Sequence, residues 1–220
     1  MKLNRDYTFQ NYLVSDNKKN ARKAISSAMA LPGQIYNPIF IYGSVGVGKT
    51  HLLQALAQEY KTDLKIYYVS VEQFVNDIVQ AIQNYRYVDF VEQCLNLDVL
   101  LIDDIHLVKD KKSTLEELLH IFERLYNAQR QIVITADRPI MQIFKTKGKA
   151  VRIFQKGLVL NITPPAYGDR LRFLQLKAQN AGLVLSSDVL EDLARKTNPD
   201  FRELQGILAK TKLRYELIQG

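Results

Sequence analysis

The stretch Gly43-Ser44-Val45-Gly46-Val47-Gly48-Lys49-Thr50 restricts the possible folds of this chain more than any other segment. It follows the apolar run Ile39-Phe40-Ile41-Tyr42 and leads directly into the helix-like His51-Leu52-Leu53-Gln54-Ala55-Leu56-Ala57. Strand, glycine-rich loop, lysine, hydroxyl and helix, in that order, describe the phosphate-binding loop of a nucleoside triphosphatase. The glycines let backbone N–H groups turn inward around a phosphate chain, where a Cβ would clash or forbid a positive φ. Lys49 is then expected to reach the β- and γ-phosphates, and Thr50 to offer its hydroxyl to Mg2+. The helix N-terminus at His51 adds a favourable partial charge. A glycine turn that matches by chance is the alternative, and the flanking strand and helix argue against it.

The rest of the chain alternates strands with helices. Residues 17–30 read as a helix that Pro32-Gly33 breaks, after a lead-in with aromatic anchors Tyr7, Phe9 and Tyr12. Strands are expected at 65–70, 97–102, 131–135 and 157–162, besides the one before the loop. The continuous apolar character of Val99-Leu100-Leu101-Ile102 fits a strand buried on both faces of a parallel sheet. Residues 71–84 and 86–95 read as two helices, with Phe74, Ile78, Val79 and Ile82 apolar at helical spacing. A further helix is expected at 113–127, capped by Ser113. This alternation predicts a five-stranded parallel sheet with helices on both faces. After Pro164-Pro165 no strand pattern remains, and 168–181, 187–196 and 200–217 read as helices. The reading is therefore an α/β body over about 1–164 and a small helical lid over about 165–220.

Composition narrows the setting. No apolar run approaches the length of a membrane span. The opening Met1-Lys2-Leu3-Asn4-Arg5-Asp6 has no hydrophobic segment behind it, so no secretory signal is read there. The single cysteine, Cys94, lies in an apolar helical stretch and is expected in the core. Together these point to a reducing, cytoplasmic setting. A net charge of +7 is compatible with a polyanionic partner without requiring one.

Leu100-Leu101-Ile102-Asp103-Asp104 ends a strand with two carboxylates, where open α/β sheets bind ligands. Asp103 is the candidate to hold Mg2+ through its water shell, and Asp104 the candidate to orient an attacking water. Asp137, after the next strand, reads equally as a γ-phosphate sensor or as a turn residue before Pro139. Arg202 opens the last helix and reads either as a phosphate contact across a cleft or as a surface ion pair with Glu203.

Taken together, these residues resemble the AAA+ ATPase domain of the bacterial replication initiators, the DnaA family. The matching segments are Tyr7-Thr8-Phe9, Tyr36-Asn37-Pro38-Ile39-Phe40-Ile41-Tyr42-Gly43, Gly46-Val47-Gly48-Lys49-Thr50-His51-Leu52, Asp98-Val99-Leu100-Leu101-Ile102-Asp103-Asp104-Ile105, Gln131-Ile132-Val133-Ile134-Thr135-Ala136-Asp137-Arg138 and Phe201-Arg202-Glu203-Leu204-Gln205-Gly206. The resemblance implies an AAA+ P-loop fold and a slow, switch-like ATPase that binds ATP or ADP with Mg2+. It also implies that Tyr12, Leu13, Val14 and Asn17 line the adenine pocket, that Asp137 is the first sensor, and that Arg202 is the lid sensor. His51 extends the loop at the nucleotide site. The helices between 71 and 95 resemble the initiator-type insertion. Val79, Lys111 and Thr114 fall on positions that grip single-stranded DNA in the family. Implied partners are single-stranded and origin DNA, further copies of the chain in an ATP-dependent oligomer, and the helicase or its loader.

Two departures qualify this. The family places an arginine finger in R-L-x-S-R-F-x-x-G-L, whereas this chain reads Lys149-Ala150-Val151-Arg152-Ile153-Phe154-Gln155-Lys156-Gly157-Leu158. Ile153 takes the finger position, Lys149 replaces the other arginine, and Arg152 lies one residue early. That is a rotation of about 100° on a helix. Assembly is then expected to be weak or to use Arg152. The family's partner-binding and helix-turn-helix domains also have no counterpart in these residues, so an excised domain and a short paralogue both fit. The competing functional reading is a non-catalytic interaction module of regulatory or helicase-loader type.

Overall fold

In the computed structural model, residues 3–12, 16–108, 112–144, 149–197 and 200–219 are described. Five strands form the sheet: β1 (Ile39–Tyr42), β2 (Ile66–Ser70), β3 (Val99–Asp103), β4 (Gln131–Ala136) and β5 (Leu158–Asn161). The helices are α1 (Asp16–Ala30), α2 (Lys49–Tyr60), α3 (Val71–Gln83), α4 (Tyr87–Leu95), α5 (Lys112–Asn127), α6 (Ile140–Ile143), α7 (Lys149–Lys156), α8 (Tyr167–Asn180), α9 (Ser187–Lys196) and α10 (Phe201–Gln219). A 3₁₀ turn spans Ile105–Val108. Among the described residues no helix is long and apolar enough to cross a membrane.

The strands run parallel in the order β2-β3-β4-β1-β5. Side chains alternate between faces, which explains the continuous apolar runs. Phe40, Leu100, Ile102, Ile132 and Ile134 enter one cluster, with Phe74, Ile78, Cys94, Phe122 and Phe154 from α3, α4, α5 and α7. Ile39, Ile41, Val99, Leu101 and Val133 enter the opposite cluster, with Ile25, Met29, Leu52, Leu53 and Leu56 from α1 and α2. A third cluster holds α8, α9 and α10 together through Phe173, Leu174, Leu190, Ala194, Leu204 and Leu208.

Most expected elements form within a residue or two of their predicted ends, the usual scatter of such boundaries. Ser113 is the exception in role: α5 starts at Lys112, so Ser113 falls inside its first turn. Cys94 is buried as expected, and burial pushes its thiol up to about 12, which leaves it a packing residue. The 3₁₀ turn, α6 and α7 are short elements that the strand–helix alternation did not call for.

The topology collects chemistry at one end of the sheet. The loop 43–50 leaves the carboxyl end of β1, whose neighbours are β4 and β5. Asp103 ends β3 and Asp137 follows β4. Both acids therefore emerge on the same edge as the loop.

Candidate nucleotide site

The loop has the backbone its glycines promise. Gly46 and Gly48 take φ of 77° and 100°, the left-handed region where a side chain is strained. Val47 points the other way and is fully buried with the α2 core. Lys49 is 6% exposed, and its Nζ donates to Gly43 O at 2.7 Å and Ser44 O at 2.9 Å. Two loop carbonyls thus hold the ammonium at the loop's mouth. Burial lowers the Lys49 pKa, while the carboxylates of Asp104, Asp103 and Asp137 oppose that shift.

Asp103 is 4% exposed and locked from both sides. Its Oδ1 accepts from Thr135 Oγ1, and its Oδ2 accepts from the Tyr68 hydroxyl at 3.1 Å. Tyr68 in turn accepts from Gln54 Nε2 at 3.0 Å, and Gln54 Oε1 accepts from the Asn4 backbone N–H at 2.8 Å. Burial pushes the Tyr68 pKa upward, with Asp103 adding to it, so the hydroxyl remains a donor. Thr50 and Asp103 offer hydroxyl and carboxylate oxygens, the hard donors Mg2+ prefers. With each Asp103 oxygen already accepting a hydroxyl, its orientation is set before any cation arrives.

Asp104 differs from Asp103. Its φ is +57°, and its backbone N–H donates to Thr135 Oγ1 at 3.0 Å. Burial and the neighbouring Asp103 raise its pKa, against the pull of His106, Lys49 and Arg202. His106 lies between the acids, with Nδ1 at 3.9 Å from Asp104 Oδ1 and 3.6 Å from Asp137 Oδ1. The Asp137 backbone N–H also donates to that nitrogen at 3.3 Å. Asp137 is paired with Arg138, whose Nε and terminal nitrogen donate at 2.6 and 2.5 Å.

A cleft of about 280 Å³ opens above these groups. Of the residues expected there, Tyr12, Val45, Gly46, Gly48, Lys49, Thr50, His51, Asp104, Asp137 and Arg202 line it. Arg202 stands at the start of α10 with its backbone N–H donating to Asp200 Oδ1 at 2.7 Å. His51 is packed under the lead-in: its ring stacks on Tyr7 at 4.7 Å and its Nε2 bonds Thr8 O at 2.8 Å. Gly43, Ser44, Val47 and Asp103 do not line the cleft; Gly43 and Ser44 act through the carbonyls that hold Lys49. Leu13, Val14 and Lys111, and the side chains of Asn17 and Thr114, lie outside the described residues.

Several lining residues had no role in the sequence reading: Asn11, His106, Leu107, Phe173, Phe201 and Gln205, with Tyr7 expected only as an anchor. His106 had one available signal, its place two residues after Asp104. Elsewhere, Val79 sits half-buried on α3, away from the cleft. On α7, Arg152 is exposed, whereas Ile153 at the finger position is only 9% exposed.

The family model for the bacterial DnaA ATPase domain matches residues 3–161. The chain belongs to the DnaA family. It is 39% identical over 212 residues to the chromosomal replication initiator protein DnaA of Thermus thermophilus, covering 95% of this chain and 49% of that protein. It is 38% identical over 205 residues to the DnaA of Nautilia profundicola, covering 93% and 47%. The chain thus spans about half the length of the DnaA proteins it matches. Domain III of the Thermotoga maritima DnaA superposes with a TM-score of 0.88 at 33% identity, covering all of this chain and 92% of that one. A replication initiator DnaA bound to AMPPCP and single-stranded DNA superposes with the same TM-score of 0.88 at 32% identity, over 97% and 66%. A Thermotoga maritima RuvB, at 16% identity and a TM-score of 0.71, shares the fold alone.

Proposed function

We propose that this chain is the ATP-binding switch of a cytoplasmic replication initiator, an α/β body over about 1–164 with a helical lid over about 165–220. The observation that carries the reading is the convergence of Lys49, Thr50, Asp104, Asp137 and Arg202 on one cleft between the sheet's carboxyl edge and α10. Backbone N–H groups of the loop 43–50 hold the phosphates of ATP or ADP. Lys49 exchanges two loop carbonyls for phosphate oxygens. Thr50 and Asp103 hold Mg2+, which supplies charge neutralisation at the phosphates when bound. Asp104 orients the attacking water. Asp137 and Arg202 respond to the terminal phosphate. Tyr12, which lines the cleft, is assigned to the adenine, together with Leu13, Val14 and Asn17 on the strength of the family resemblance alone.

Nucleotide state then governs self-assembly and engagement of single-stranded and origin DNA through Val79, Lys111 and Thr114. A DnaA relative bound to AMPPCP and single-stranded DNA supports the single-stranded DNA part of this reading. The helicase or its loader is the protein partner in this reading. Arg152 is an exposed cation on α7 that could reach a neighbour's nucleotide. A non-catalytic module is favoured by one observation, the packed Ile153 where the finger would stand.

Substituting Lys49→Ala should abolish ATP binding in an equilibrium titration, and retained affinity would refute the site. Multiple-turnover phosphate release with and without single-stranded DNA separates the two readings. Release identifies a switch that resets itself, and bound nucleotide without release identifies the module.

A further inference from the structure

The first residue of α10 and the residue before it both touch the phosphate loop. Phe201 N–H donates to Gly46 O at 3.1 Å. Asp200 lies so close that a Cβ built on Gly46 would stand 1.9 Å from its Oδ1 and 2.3 Å from its Oδ2. Gly46 therefore needs to be glycine twice over, for its φ of 77° and for the carboxylate packed against it. A loop built to attract phosphate through N–H dipoles and Lys49 thus carries an acid on its lid side.

We propose that Asp200 is a specificity-determining residue of the nucleotide site, whose charge disfavours the triphosphate relative to the diphosphate. The inference rests on the reading of loop 43–50 as the phosphate site. A polyphosphate in that loop lies within a Debye length, about 8–10 Å, of a carboxylate touching Gly46. ATP carries one more negative charge than ADP and is opposed more strongly. Arg202 is two residues further along and lines the cleft with the opposite charge. The residue before α10 thus presents an acid against the loop and its first turn a base toward the cleft, and their balance sets how firmly ATP is held over ADP.

A purely structural role is the competing account, because Asp200 also accepts the Arg202 N–H at 2.7 Å in the manner of a helix cap. Asp200→Asn separates the two, since asparagine caps as well as aspartate and carries no charge. One unit charge at about 10 Å with an effective dielectric near 20 corresponds to a change on the order of tenfold.

The experiment is equilibrium titration of the whole chain with fluorescent ATP and ADP analogues, for the unsubstituted protein, Asp200→Asn, Asp200→Ser and Lys49→Ala. The expected result is an ATP-to-ADP affinity ratio about tenfold higher in both Asp200 variants than in the unsubstituted protein. An unchanged ATP-to-ADP ratio in Asp200→Asn would overturn the proposal and leave a cap alone. Weaker binding of both nucleotides would overturn it as well, making the carboxylate a support. Binding that survives Lys49→Ala would instead overturn the phosphate-loop reading underneath, a result distinct from either.

Discussion

Replacing Tyr68 with phenylalanine removes one oxygen from a buried chain of hydrogen bonds that ends on Asp103. Gln54, Tyr68 and Asp103 are 5%, 6% and 4% exposed, so water does not readily replace what is lost. The bond to the carboxylate, at 3.1 Å, is of the charged kind that contributes about 1.5–3 kcal/mol. The Gln54 amide loses its acceptor at the same time, while Thr135 still holds the other Asp103 oxygen. The net cost is expected near 2 kcal/mol, which lowers the melting temperature of a domain this size by about 4–8 °C. Orientation of a metal-side carboxylate by its hydrogen-bond partners typically changes metal affinity 10–100-fold, so the Mg2+ concentration needed to retain nucleotide should rise at least tenfold. The assay is a nucleotide titration across Mg2+ concentrations with a parallel one in chelator, alongside thermal melting. Affinity without Mg2+ should be unchanged. A lowered melting temperature with an unaltered Mg2+ requirement would refute the reasoning, because Tyr68 would then serve the fold and not Asp103.

Asp104→Asn should raise the melting temperature of the nucleotide-free protein at pH 7–8 by a few degrees. The folded pKa of Asp104 is raised by burial and Asp103, so its favourable contribution exists at low pH and is lost as pH rises through that pKa. The stability gain should therefore fade as pH drops into the carboxylate range, and a pH-independent gain would point instead to relief of the backbone at φ +57°. Phosphate release should fall in the same variant. Arg202→Ala should weaken ATP binding about tenfold and ADP less, since it removes a cation from the cleft. Equal losses would mean that Arg202 does not read the terminal phosphate. Arg152→Ala, at an exposed site, should change stability by no more than about 0.5 kcal/mol. It should remove any rise of specific phosphate release with protein concentration, and a preserved rise would exclude this arginine as a residue acting on a neighbour.

Local patterns made a large share of this protein legible from its residues alone. An apolar run, spaced glycines, Lys49-Thr50 and a helical continuation describe contacts between near neighbours in the chain. Such contacts obey fixed backbone geometry wherever they occur. The same holds for Val99 to Asp103, whose apolar side chains feed both faces of the sheet and whose last residue must leave at its carboxyl edge. The family's finger sequence could be compared residue by residue, but only the packing of α7 shows Ile153 turned inward and Arg152 outward. The contacts that tune the site join distant segments. Tyr7 meets His51, Gln54 meets Tyr68, His106 sits between Asp104 and Asp137, and Asp200 lies on Gly46. No periodicity encodes such pairs. They depend on strand order and on which helix face is buried against which neighbour, and those are settled only when the whole chain packs.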